Sequence, residues 1–74
     1  MLNVLIVEDH PGLANSLTLG LREEGMAPRA VHLGREAIAV LDGGAIDLVV
    51  LDLGLPDVDG LDVLQHMQIG RAHV

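Results

Sequence analysis

Two short apolar runs that each end in acid constrain this chain more than any other feature. Val4, Leu5, Ile6 and Val7 are followed by Glu8 and Asp9, and Val49, Val50 and Leu51 are followed by Asp52. Both runs have the aliphatic, β-branched composition of strands buried on both faces, as in a parallel sheet covered by helices. A carboxylate is excluded from such an interior but tolerated where the strand leaves its sheet. In open α/β sheets that carboxyl end is where ligands gather. If the two strands are neighbours, Glu8, Asp9 and Asp52 meet at one edge of one sheet.

The segments between the runs carry helical patterning. Leu13, Leu17 and Leu21, with Ala14 beside them, recur at helical spacing. They predict a first helix with its leucines in the core, reaching about Glu24. A loop over 8–12 precedes it, with Pro11 and Gly12 as breakers, and Gly25 is placed to end it. Arg29 to Leu33 reads as a short second strand. Ala37, Ile38, Val40 and Leu41 predict a second helix from about Arg35, stopped by Gly43 and Gly44. Ile46 to Leu51 is the third strand. A third helix is predicted from Asp59 or Gly60, with Leu61, Leu64 and Met67 on its buried side. The order β-α-β-α-β-α belongs to the α/β class, a parallel sheet with flanking helices.

With 74 residues there is room for one small domain with a limited core. Half the residues are hydrophobic, which favours folding over disorder, and without Phe, Tyr or Trp the core must be aliphatic. A formal net charge of −7 repels phosphate backbones, so no direct nucleic-acid contact by this segment is expected. The absence of cysteine excludes disulfides and thiolate metal sites. The apolar runs are too short to span a bilayer, and the basic start and cleavage site of a signal peptide are lacking. A cytoplasmic location without membrane contact is the expectation.

Glu8, Asp9 and Asp52 are hard oxygen donors whose like charges, held close, call for neutralisation. A divalent cation supplies it. Mg2+ takes an octahedron of oxygens, commonly one or two carboxylates, waters and a substrate phosphate. The cluster offers nitrogen only at His10, so zinc is the poorer fit. A carboxylate beside Mg2+ is also a nucleophile towards phosphorus. Phosphoryl transfer asks mainly for in-line positioning and neutralised oxygens.

The segments Val4 to Pro11 and Val49 to Gly60 resemble the receiver domain of bacterial two-component response regulators. The resemblance covers residues 2 to about 68. It implies a flavodoxin-like parallel sheet in which an aspartate accepts phosphate from a sensor histidine kinase. By position, Asp52 corresponds to the phosphoacceptor, Asp9 to the direct Mg2+ ligand and Glu8 to the companion acid that acts through water. The backbone carbonyl of Gly54 falls where the family supplies a further metal ligand. Pro56 and Gly60 match the loop after the third strand, where Gly60 permits a tight turn. The stretch from Leu55 to Leu64 is similar to regulators with transcriptional effectors.

The family has five strands, with a Thr or Ser after the fourth, a Lys after the fifth and an aromatic switch residue near that Lys. This chain has no Lys and no aromatic residue, and its Thr18 falls in the first helix. The expectation is therefore a partial receiver domain over 1–68, holding β1-α1-β2-α2-β3-α3 alone, and a non-native tail over 69–74. Ile69 to Val74 breaks the helical pattern and resembles a translated sequencing-library adapter. An uncovered third strand would favour a dimer or aggregate through the sheet edge.

Plainer readings stand beside these. Asp52 alone could terminate a strand. Glu8 and Asp9 could favour the start of the first helix through its dipole, which does not conflict with metal binding. His10 reads first as a solvated loop residue, and His32, His66 and His73 have no partners at metal spacing. Asp57, Asp59 and Asp62 read as turn, cap and solvated residues. Two other functions stay open. One is a non-catalytic receiver-like interaction module, consistent with the missing Lys. The other is a Mg2+-dependent phosphatase with an Asp nucleophile, disfavoured because Gly54 stands where the haloacid dehalogenase type places a second Asp.

Overall fold

Val4, Leu5, Ile6 and Val7 are fully shielded from solvent, which a strand achieves with partners on both edges and cover on both faces. The computed structural model, which describes residues 1–51, provides that environment. Its elements are β1 (Asn3–Val7), α1 (Pro11–Glu23), β2 (Ala27–Val31), α2 (Gly34–Asp42) and β3 (Leu48–Leu51). β1 is the middle strand of a parallel sheet of order β2-β1-β3. It pairs from Asn3–Ala27 to Val7–Val31 on one side, and from Val4–Leu48 to Val7–Leu51 on the other. The third helix, Asp52, Gly54 and residues 69–74 lie outside the described residues.

The chain steps from β1 outward to β2, then back past β1 to β3. With right-handed crossovers, that reversal puts α1 and α2 on opposite faces of the sheet. Side-chain alternation along β1 agrees. Leu5 and Val7 join Val31, Ala37, Leu41 and Val49 in the core under α2. Val4 and Ile6 point the other way, towards the side of α1, whose buried residue is Ala14. Burying each of Val4, Leu5, Ile6 and Val7 contributes about 1.5–3 kcal/mol, which makes this strand the anchor of the fold. The reversal also makes the β1–β3 boundary a topological switch point, with a crevice at its carboxyl end.

Local chemistry shifts several element ends from their predicted places. α1 begins at Pro11 rather than after Gly12. Proline has no N–H to lose in a first helical turn, and its fixed φ suits that position. Ala14, not Leu13, is the residue α1 turns to the sheet; Leu13 is 52% exposed. The helix ends in a Schellman arrangement. The Met26 N–H reaches Leu21 O at 3.1 Å and the Gly25 N–H reaches Arg22 O at 3.0 Å, with Gly25 at φ 81°.

β2 runs two residues earlier than predicted. Pro28 is tolerated because β2 is an edge strand among the described residues, where a missing donor costs little. His32 and Leu33 leave the sheet because the Glu36 carboxylate takes both their N–H groups, at 3.2 and 3.1 Å. That is the reciprocal half of a capping box at the start of α2; Leu33 has no polar side-chain atom to complete it. β3 starts at Leu48, after Asp47 has bound Asn3 through backbone and side chain, both at 2.8 Å.

Candidate functional site

Glu8 and Asp9 leave the carboxyl end of β1 directly, and His10 follows as the N-cap residue of α1. Glu8 is the buried charged residue among those described, at 8% exposure. Its burial is compensated. His10 Nδ1 lies 3.1 Å from Glu8 Oε1, the Glu8 N–H donates to Val31 O at 3.1 Å, and the His32 ring contacts its carbonyl at 3.0 Å. Asp9 is different. Its Oδ1 is buried without a hydrogen-bond partner, although His10 Nδ1 stands 3.3 Å away in a geometry that makes no hydrogen bond.

Glu8, Asp9 and His10 can each offer one ligand atom within 4.8 Å of the others. A hard cation fits this group. It has two carboxylates side by side, and one buried oxygen whose acceptor capacity nothing in the described residues meets. His10, 77% exposed at its side chain, is more than a solvated loop residue, because its Nδ1 sits between both carboxylates. Glu8 and His10 border an open, largely apolar hollow of about 430 Å³ lined also by Val7, Leu13, Leu17, Val50 and Leu51. An apolar wall on one side of a charged group strengthens the electrostatics there.

The structure thus brings together two of the four predicted metal-site residues, Glu8 and Asp9. Asp52 and Gly54 lie outside the described residues. The register nevertheless sets β3's last described residue, Leu51, opposite Val7. Sequence reading missed His32 as part of the surroundings of Glu8. No spacing rule links residues 8 and 32; only the pairing of Val7 with Val31 does.

Comparison with known proteins gives one consistent result. The family profile described as response regulator receiver domain matches residues 4–74. The transcriptional regulatory protein TrcR of Mycobacterium tuberculosis is 43% identical over 67 residues, which is 90% of this chain and 26% of that protein. The crystal structure of the response regulator TrrA from Thermotoga maritima, in complex with Mg2+ and beryllium fluoride, is 32% identical. It superposes with a TM-score of 0.88, covering 97% of this chain and 64% of that one. TrrA in complex with the histidine kinase ThkA is 33% identical with a TM-score of 0.85, covering 93% of this chain and 60% of that one. The chain spans about a quarter of the curated relative's length.

Proposed function

This chain belongs to the response regulator receiver domain family, and from that premise we propose that it is a phosphoacceptor module that takes a phosphoryl group on Asp52. The family is one of signalling receivers rather than classical enzymes, which removes the phosphatase alternative. The observation that carries the proposal is the register of the two acid-tipped strands. Val7 lies opposite Leu51, and Glu8 and Asp52 each follow by one peptide bond, a step of about 3.8 Å. Neighbouring strands run about 4.8 Å apart. Short carboxylates at such tips are within reach of one small cation.

Glu8 and Asp9 would hold Mg2+ from the β1 side, with the Asp52 carboxylate and the Gly54 carbonyl from the β3 side. When bound, the ion neutralises phosphoryl oxygens and the acids' mutual repulsion. A carboxylate oxygen of Asp52 then forms a bond to phosphorus as the bond to the donor's imidazole nitrogen breaks, and that nitrogen takes up a proton. The donor proposed is a sensor histidine kinase, by analogy with the TrrA–ThkA complex. The output proposed is control of an attached effector such as a DNA-binding domain, because relatives are transcriptional regulators. Among the described residues no helix is long and apolar enough to cross a membrane, and a cytoplasmic site of action is part of the proposal.

Incubation with Mg2+ and acetyl phosphate, followed by intact-mass measurement, tests this reading. The wild-type chain should gain one phosphate, and Asp52→Asn should gain none. A chain that takes up no phosphate under any condition would instead be the receiver-like interaction module.

A further inference from the structure

We propose that His32 is a positioning residue of the metal site, whose ring N–H holds the Glu8 carbonyl and so fixes the peptide joining the two acids. The inference rests on the reading of Glu8 and Asp9 as metal ligands. Because Val7 pairs with Val31, the residues that follow leave the sheet side by side. The Glu8 N–H donates to Val31 O at 3.1 Å, and His32 Nδ1 lies 3.0 Å from Glu8 O. A carbonyl can only accept, so the ring carries a proton on Nδ1.

Glu8 is thereby held through both its backbone groups by the end of β2. Its carbonyl belongs to the same planar unit as the Asp9 amide, so turning that carbonyl about the Glu8 Cα–C bond would carry the Asp9 Cα and its carboxylate with it. His32 is fixed in turn. Glu36 Oε1, in the first turn of α2, accepts the His32 N–H at 3.2 Å and the Leu33 N–H at 3.1 Å. The start of α2 thus aims His32, and His32 aims the Glu8–Asp9 peptide. Groups that orient metal ligands in this way typically change metal affinity by tenfold or more when removed.

The test uses the whole chain with Mg2+ alone as the probe, and reads calorimetric affinity, imidazole 15N spectra and thermal midpoints. Wild type should show a proton on His32 Nδ1, and H32L should raise the Mg2+ Kd about tenfold. H32N, whose amide N–H can take the place of the ring donor, should restore the wild-type affinity. A purely structural role would lower the thermal midpoint and leave the affinity of the folded chain unchanged. Mg2+ binding by H32L equal to wild type, or by H32N as weak as by H32L, overturns the inference alone. So does a wild-type ring without the Nδ1 proton, a readout that stands even where H32L does not fold. A wild-type chain that does not bind Mg2+ overturns the metal reading and this inference with it.

Discussion

Asp9 and Asp47 stand at opposite ends of one sheet and meet opposite environments. At the amino end, Asp47 Oδ2 accepts the Asn3 N–H at 2.8 Å, while the Asp47 N–H reaches the Asn3 carbonyl at 2.8 Å. That aspartate ties the entrance of β3 to β1. At the carboxyl end, Asp9 buries Oδ1 with no hydrogen bond. A buried acceptor left unmet costs about 1–3 kcal/mol. The same side chain is thus structural where the fold satisfies it and a candidate ligand where the fold leaves it wanting. The second case falls at the switch-point crevice, where ligands are expected.

Several variants would break or sharpen that contrast. Leu5 supports both ends, since it is fully buried in the middle of β1. Leu5→Ala should cost about 2–5 kcal/mol in urea unfolding followed by circular dichroism. A loss well under 1 kcal/mol would mean that β1 is not the anchor on which both aspartates depend. Asp9→Ala should weaken Mg2+ binding by more than about a hundredfold, beyond the loss typical of an outer-shell partner. Its unfolding free energy should hold or rise, because an unmet buried acceptor disappears. Asp47→Ala should do the reverse. Stability falls by about 0.5–1 kcal/mol with the lost hydrogen bond, and Mg2+ affinity does not change. If the two variants behaved alike in calorimetry, the division between a structural and a binding aspartate would fail.

The smallest effect belongs to a position far from both. Gly20 lies in the interior of α1, and a Cβ there meets nothing within 4 Å. Gly20→Ala should raise stability by about 0.5–1 kcal/mol through helix propensity, with no change in Mg2+ binding. A destabilised variant would show that this glycine has a packing role the fold does not reveal.

Much of this was legible in the sequence, for identifiable reasons. The apolar runs at 4–7 and 49–51 announced parallel strands because short aliphatic, β-branched runs between turn signals suit a covered sheet; the first is buried throughout, whereas in the second Val49 is buried and Val50 and Leu51 are half-buried. Gly25 and Gly43–Gly44 marked helix ends correctly because left-handed or tight backbone suits glycine. The start of α1 was misplaced because Pro11 reads as a breaker in isolation, while at a first helical turn it is compatible. β2 was misplaced because Pro28 argues against a strand unless that strand is at an edge, and edge position is a property of the sheet. Leu13 was assigned to the core by periodicity, yet α1 approaches the sheet through Ala14 and leaves Leu13 half-exposed. The paired acids Glu8 and Asp9 were found from position alone, whereas the unmet Asp9 oxygen, His10 between the carboxylates and His32 behind Glu8 were not.

The sequence by itself determined the two apolar runs that become β1 and β3 and the acids that follow them, because apolar patterning and the exclusion of charge from a buried strand are local properties. Tertiary structure decided which tips are neighbours, which aspartate is satisfied and which is not, and which histidine supports the site. Those outcomes depend on hydrogen-bond partners supplied across the sheet by residues distant in the chain. A carboxylate's identity is written in one codon, but its partners are assigned by the register of β2, β1 and β3.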